Sequence, residues 1–322
     1  MIQRLALTGA TGFLGREVLK LCVESGVPIR CLTHASGGTD GSLAQFMSGD
    51  LLDSESLARF VSGCSHLIHL AGIAHTDLRT KADCERVNAI NVEGTRRIVG
   101  LAKQAGVTRM IFASSAQVYG DTGSVLTEDN SLSPKGFYAQ SKVEAERICL
   151  DAQESGFDVV IARPCLIYGP CARFNLSYLM RAIDRGYYFH LSGKDPCRSF
   201  VANENAARAI VHLLKFGEPG GIYNIADRAP VSLRTFVNNI AELMGRRRPA
   251  TMPYKLVNAA ATACTPLGFV GLKLPITRAS VRKLTEEFTL STQRLSDSGF
   301  QWAGTESEVL KRMIQQYLAS RG

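Results

Sequence analysis

The first half of the chain alternates short apolar runs with longer stretches whose apolar residues recur at helical spacing. Ile2, Leu5, Ala6 and Leu7 make a run of strand length, and a glycine-rich turn from Thr8 to Gly12 follows it. Phe13 to Ser25 then spaces Phe13, Leu14, Val18, Leu21 and Cys22 as a helix does, so the turn joins a strand to a helix. Pro28 to Thr33 reads as the second strand, followed by a Gly/Ser-rich loop from Ala35 to Ser42. Next come a helix from Glu55 to Val61 and a strand from His66 that ends in a small-residue turn at Gly72. Ile73 to Thr80 reads as a loop, Cys84 to Ala105 as a long helix and Met110 to Ser114 as a further strand. Such alternation predicts an α/β fold built on a doubly wound parallel sheet.

The pattern continues with a helix from Tyr138 and a strand at Val159 to Pro164, and then loosens. From Cys171 the chain is expected to leave the sheet for a smaller C-terminal lobe. Gly221 to Ala226 returns as a sheet strand, and a helix begins at Ser232, a good N-cap. Residues 1–170, with 205–230 returning, are thus assigned to a dinucleotide-binding domain, and 171–204 with 231–322 to the lobe. Leu256 to Leu274 is apolar but broken by Pro266 and Gly268, too interrupted for a membrane span, and reads as a helix packed over the lobe, with docking on a membrane surface as the alternative. Glu306 to Leu318 reads as an amphipathic helix.

Composition adds exclusions. The nine cysteines are odd in number, scattered and free of C-x-x-C pairs, so they read as reduced core residues with no disulfide framework and no metal site. The net charge of +8 fits a basic surface, and Arg246-Arg247-Arg248 has no neighbouring aromatics, so nucleic acid is not indicated. The first apolar run is too short for a signal peptide, which points to the cytoplasm.

Chemistry concentrates in three places. Gly9, Gly12 and Gly15 let the backbone turn sharply and approach a ligand, while the free N–H groups at the helix start attract a diphosphate. The second strand ends in Thr33 and His34 with no acidic residue to hold a ribose 2′-hydroxyl, and the nearest carboxylate is Asp40. Arg30 or His34 is available to accept a 2′-phosphate, so NADP is favoured over NAD. Finally, Tyr138 and Lys142 stand four apart on one helical face, downstream of the strand-end pair Ser114-Ser115. An ammonium beside a phenol is expected to lower the phenol's pKa toward neutrality, and a serine there can donate to an oxygen gaining charge.

Together T-G-A-T-G-F-L-G (8–15), G-D-L-L-D (49–53), H-L-A-G (69–72), N-V-E-G-T (91–95), S-S-A-Q-V-Y-G (114–120), Y-A-Q-S-K (138–142) and R-P-C-L-I-Y-G-P (163–170) resemble the extended branch of the short-chain dehydrogenase/reductase superfamily, the NAD-dependent epimerase/dehydratase family. That resemblance implies a Rossmann-type domain whose dinucleotide contacts come from Gly9, Thr11, Gly12, Phe13, Leu14, Gly15, Asp50, Leu51, Leu70, Ala71, Gly72, Ala113, Tyr138, Lys142 and Pro164. It implies Ser115 (Ser114 as second choice), Tyr138 and Lys142 as the catalytic set, and Ser115, Gln117, Asn175 and Arg198 as substrate contacts. Arg198-Ser-Phe-Val-Ala-Asn-Glu-Asn205 departs from the family's R-D-F-V-H-V-D-D but keeps the arginine for a substrate diphosphate. The family's dehydratases carry an Asp-Glu pair where this chain has Ala116 and Gln117, which disfavours a 4,6-dehydratase. The implied activity is 4-ketoreduction of a nucleotide-diphosphate sugar for surface polysaccharide or glycan precursors, with 4-epimerisation as the alternative. A reductase of steroid- or flavonoid-like ketones and a non-catalytic dinucleotide sensor or scaffold are the other readings. The helix pair at 84–105 and 138–155 implies a homodimer.

Overall fold

Among the described residues seven strands build the parallel sheet, most of them short apolar or β-branched runs. They are β1 (Leu5–Thr8), β2 (Ile29–Thr33), β4 (Ala44–Ser48), β5 (His66–His69), β6 (Arg109–Ala113), β7 (Asp158–Pro164) and the returning strand Ile222–Ile225. The two-residue β3 (Thr39–Asp40) adds an antiparallel edge on β4, inside the stretch read above as loop. The computed structural model describes residues 2–34, 39–40, 43–74, 80–120, 125–172, 175–268 and 278–320. The sheet order is Ile222–Ile225, β7, β6, β5, β1, β2, β4, β3. Chain direction across the sheet reverses at β1, which has β2 on one side and β5 on the other. The crevice at the carboxyl ends of these strands is where open α/β sheets take ligands.

Side chains alternate across the sheet, so consecutive residues feed two cores. Leu5 and Leu7 join Val18 and Cys22 of α1 (Phe13–Glu24) and, from a later helix, Ile210 and Leu213. Ala6 faces the opposite layer of Leu57 and Phe60 from α2 (Ser54–Val61), Ile98 from α4 (Gly94–Gln104) and Ile148 and Cys149 from α5 (Phe137–Glu154). The predicted helix over 84–105 is resolved into α3 (Lys81–Asn88), a π-helical turn at Ala89–Glu93, and α4. A Cβ on Gly94 would stand 3.0 Å from Leu51 Cβ, so glycine lets the loop before α2 close on α4.

Beyond β7 the chain forms α6 (Asn175–Asp184) and then α7 (Asn203–Phe216), which packs beside α1 on the sheet. A separate cluster unites Tyr168, Met180, Phe236, Ile240, Leu310 and Met313. Phe200 stacks on Phe236 within it, with ring centres 4.2 Å apart. The helix at Leu233–Leu243 starts at Ser232, whose hydroxyl accepts from Thr235 N at 3.0 Å. The sequence reading gives 231–322 wholly to the lobe, yet Leu290, Leu295 and Phe300 lie in the sheet's own core. Their segment crosses back because Asn224 Nδ2 bonds the Leu126 and Ser291 carbonyls beneath it. Tyr254–Gly268 is a helix whose Val257 and Ala261 cover Leu191 and Val281, and the remainder of the 256–274 stretch lies outside the described residues. Among the described residues no helix is long and apolar enough to cross a membrane.

Candidate active site

Gly9 adopts φ +75°, and a Cβ there would lie 2.8 Å from Ala71 N. A Cβ on Gly15 would sit 2.0 Å from the Gly9 carbonyl oxygen. The turn is therefore sealed against β5's exit loop, and Gly12 N donates to Gly9 O at 2.9 Å. Gly12 is also the N-cap of α1 and supplies no side-chain cap, so the first-turn N–H groups face outward for an anion. This cradle, filled by any Cβ, fits a dinucleotide diphosphate. Thr11 is exposed and its carbonyl accepts from Arg16 Nε at 3.1 Å, whereas Leu14 packs into the sheet core. The Phe13 carbonyl accepts from Asn203 Nδ2 at 3.4 Å.

Beside the cradle, Thr8 and His69 hold the loop Leu70-Ala71-Gly72. Ala71 N donates to Thr8 Oγ1 at 3.1 Å, and Thr8 Oγ1 lies 2.7 Å from His69 Nδ1. His69 Nε2 reaches Thr95 Oγ1 at 3.2 Å, and Thr95 donates to the Asn91 carbonyl at 2.7 Å. Since Thr95 spends its proton on Asn91, Nε2 must carry the imidazole hydrogen and Nδ1 accepts from Thr8. Burial pushes the pKa of His69 down to about 3, from 6.5. An unfolded chain takes up a proton below pH 6.5 that the folded one refuses, so this share of stability is complete above 6.5 and drains as pH falls toward 3. Between pH 6.5 and 5 the loss is expected to be about 2 kcal/mol. Urea melts of the parent and His69→Gln at both pH values check it, and equal pH slopes for the two proteins would refute the assignment.

In the loop after β4, Asp50 Oδ1 accepts from Leu52 N at 2.8 Å, leaving Asp53 to cap α2 through Glu55 N and Ser56 N. Leu51 is buried against Gly94. His34 is exposed, with Nδ1 3.9 Å from Asp50 Oδ2. The suggestion that Arg30 serves a 2′-phosphate is corrected here. Its Nη1 donates to the carbonyls of Arg59, Phe60 and Ser62 at 3.0, 2.9 and 2.8 Å, because the carbonyls ending α2 need a cation more than a distant ligand does.

The chemistry-bearing side chains converge at the end of β6. Ser115 caps the short 3₁₀ turn Ala116–Tyr119, accepting from Gln117 N at 3.2 Å, and hydrogen bonds the Tyr138 side chain. Lys142 Nζ donates to the Ala113 carbonyl at 2.8 Å and stands 4.8 Å from the Phe112 ring centre. A Cβ on Gly72 would lie 3.5 Å from this nitrogen, so the ammonium borders the β5 exit loop. Ser114 Oγ is buried with no partner among the described residues. Burial drives the Lys142 pKa down to about 8, and it pushes Tyr138 above its ordinary value against the smaller lowering from Ser115. The sequence reading expected the lysine to lower the phenol; instead the ammonium is spent on a carbonyl and desolvation dominates. Pro164 ends β7, buried and paired with Ile225.

Asn91 also belongs to this constellation. Its side chain accepts from Ile73 N at 2.8 Å and donates to Ile73 O and to Ser141 Oγ at 3.1 and 3.0 Å, and Ser141 donates to the Tyr138 carbonyl at 2.8 Å. In the sequence Asn91 is marked only by the N-V-E-G-T motif. The signal for a site role is its place in the π-helical turn, since such bulges gather at functional positions. Of the substrate contacts, Gln117 is exposed on the 3₁₀ turn and Asn175 opens α6 with a side chain outside the described residues. Arg198 lies in the lobe on a strand paired with Val231–Ser232 and donates from Nη2 to the Glu286 carbonyl at 2.9 Å. Its charge and that of Arg234 are felt by Tyr188, which lines a lobe pocket with His190, Lys194 and Asp195. The loop over 73–80 contributes only Ile73, Ala74 and Thr80 to the described residues, and among those residues no His, Cys, Asp and Glu cluster could hold a metal.

Residues 5–226 match the NAD dependent epimerase/dehydratase family. Over 99% of this chain and 98% of its own length, a 4-hydroxy-2-methyl-3-oxo-4-farnesyl-3,4-dihydroquinoline-1-oxide ketoreductase of Stigmatella aurantiaca is 28% identical. A UDP-glucose 4-epimerase of Vibrio cholerae is 32% identical over 75% of this chain and 76% of its own. MoeE5, solved with UDP-glucuronic acid and NAD, superposes with a TM-score of 0.77 at 26% identity, covering 98% of this chain and 99% of that one. The extent of the match, the sheet order and the dinucleotide cradle agree: the chain belongs to the NAD dependent epimerase/dehydratase family and is an enzyme of the extended short-chain dehydrogenase type, whose chemistry runs on a nicotinamide dinucleotide.

Proposed function

We propose that the protein is a ketoreductase that reduces the C4 ketone of a nucleotide-diphosphate sugar. The observation that carries this reading is the Ser115–Tyr138 hydrogen bond beside the buried Lys142 ammonium, with Tyr138 held above its ordinary pKa and so protonated at neutral pH. A protonated phenol is an acid, which suits reduction. A bound reduced nicotinamide supplies the hydride. Tyr138 gives its proton to the ketone oxygen and is reprotonated from solvent, so ketone, hydride and proton become the carbinol. Ser115 donates to the same oxygen as charge grows on it, with Ser114 close by in sequence. Lys142 holds the nicotinamide ribose and supplies positive charge, and Asn91 fixes the backbone on which Tyr138 rides. Arg198, with the pocket around Tyr188 and Arg234, takes the diphosphate of the substrate. The full-length likeness to a ketoreductase supports ketone reduction as the reaction class.

The proposal includes NADP(H) as the preferred cofactor. No acidic residue stands at the end of β2 to repel a 2′-phosphate, and with Arg30 engaged, His34 is the remaining basic residue between positions 29 and 50. It also includes a homodimer formed along α4 and α5. The 4-epimerase reading is kept beside it because a relative with that activity is 32% identical. One experiment separates them. Purified protein is denatured, any released dinucleotide is identified, and NADPH and NADH binding to the emptied protein is followed by nicotinamide fluorescence. An empty protein that takes NADPH at least about tenfold tighter is the expected result, a preference of about 1.4 kcal/mol. Stoichiometric NAD carried through purification means a cofactor recycled in place and favours epimerisation. Failure to bind either dinucleotide overturns the catalytic reading.

A further inference from the structure

We propose that Glu146 is a positioning residue that keeps the Lys142 side chain an ammonium, and that Arg163 locks it in place while tying together the two stretches that carry Ser115 and Tyr138. The inference rests on the reading of Lys142 given above. Glu146 follows Lys142 by four residues on α5, hence on the same helical face one turn away. Arg163 grips it with two parallel bonds, Nε to Oε1 at 3.0 Å and Nη2 to Oε2 at 2.7 Å. The two side chains are 2% and 3% exposed. Isolating such a pair from water costs about as much as the attraction returns, so its burial is poorly explained by stability alone.

Two features of the geometry give it a task. Arg163 Nη1 donates to Tyr119 Oη at 2.9 Å, and Tyr119 lies on the 3₁₀ turn that Ser115 caps. One guanidinium therefore holds the serine's turn and the tyrosine's helix in register, and Tyr119 Oη passes its own proton to Asn224 Oδ1 at 2.7 Å. The second feature is charge. Among the described residues six titratable groups face Lys142 or its partner: Tyr138, Glu146 and Cys149 on α5, His69 on β5, Arg163 on β7 and Tyr119 on the 3₁₀ turn. Burial keeps Tyr138, Tyr119 and Cys149 protonated and His69 deprotonated, all four neutral. The charged groups that remain are Arg163 and Glu146, joined as a two-bond ion pair, and the Glu146 carboxylate, one helical turn from Lys142, favours the lysine's charged form, whereas its hydrogen-bond partner, the Ala113 carbonyl, carries no charge.

The test measures dinucleotide Kd by nicotinamide fluorescence, and kcat/KM, from pH 6 to 10. In Glu146→Gln the alkaline limb of both profiles is expected to move toward neutrality by about one pH unit, with Glu146→Asp intermediate. Because Glu146→Gln strands a buried guanidinium and can fail to fold, Glu146→Leu/Arg163→Met is measured in parallel. Removing both charges is expected to preserve the fold and to move the limb the same way. A limb that stays at the parent pH in either folded variant overturns the proposal. Lys142→Met is the separate control: if the limb persists there, it never belonged to Lys142, and the reading of that residue fails on its own.

Discussion

Replacing Tyr138 with phenylalanine is expected to lower kcat by about 10²–10⁴-fold while leaving the dinucleotide Kd and the melting temperature near the parent values. The substitution removes one hydroxyl from a half-buried ring and strands little. Ser115 keeps its bond from Gln117 N, and the Tyr138 carbonyl keeps its bond from Ser141. What is lost is the proton donor. Since burial holds the Tyr138 pKa above its usual 10, ketone reduction should be flat in this residue through neutral pH and fall once the phenol ionises at strongly alkaline pH, whereas alcohol oxidation should gain there. Ser115→Ala removes a donor rather than the proton source and is expected to cost about 10²-fold or more in kcat. In the double variant the two losses should not add, because the residues act on one oxygen. Steady-state rates, dinucleotide titration and thermal melts on the three variants check this set. A Tyr138→Phe enzyme with more than about a tenth of parental kcat would remove Tyr138 from the chemistry.

The sheet was legible because its signals are local: a strand-length apolar run, a glycine turn and a helical period repeat in order. A glycine at 94, inside the helical stretch 84–105, is a further local signal. Its cost in mid-helix implies a close contact, and Leu51 is that contact. Where charge had to be assigned a direction the reading failed. Arg30 has the right place in the chain for a 2′-phosphate, but the carbonyls that end α2 lie nearer, and nothing in the order of residues announces them. Tyr138 and Lys142 were found by spacing, yet spacing carries no information on desolvation, which decided the direction of the tyrosine's pKa. The segment around Leu290 and Phe300 returned to the sheet core through bonds from Asn224, sixty-odd residues upstream, a contact of long range in sequence. Arg163 was quoted for the proline that follows it, and its grip on Glu146 and Tyr119 became visible only when α5, β7 and the serine's turn were placed together.

Gly15→Ala is expected to destabilise the fold by about 3 kcal/mol or more and to weaken dinucleotide binding at least about 100-fold in whatever fraction stays folded. A methyl group there would overlap the Gly9 carbonyl oxygen at 2.0 Å and crowd the Gly9 carbonyl carbon at 2.7 Å. These are backbone atoms of the cradle itself, so relief requires α1 to move away from the turn, and with it the N–H groups that face the diphosphate. Gly9→Ala should come next: its φ of +75° disfavours any side chain, and its Cβ would meet Ala71 N and the Leu70 carbonyl carbon at 2.8 and 2.9 Å. Gly26 provides the control, with φ +70° and no atom within 4 Å of the added carbon. There alanine should cost only the left-handed backbone penalty of about 1–2 kcal/mol and leave binding untouched. Urea denaturation and NADPH fluorescence on the three alanine variants distinguish a cradle from an ordinary turn. If Gly15→Ala behaves like Gly26→Ala in both measurements, the close approach of α1 to the turn is not what forms the dinucleotide site. If it loses binding far beyond what its stability predicts, the spacing Gly9, Gly12, Gly15 is set by the ligand as much as by the fold.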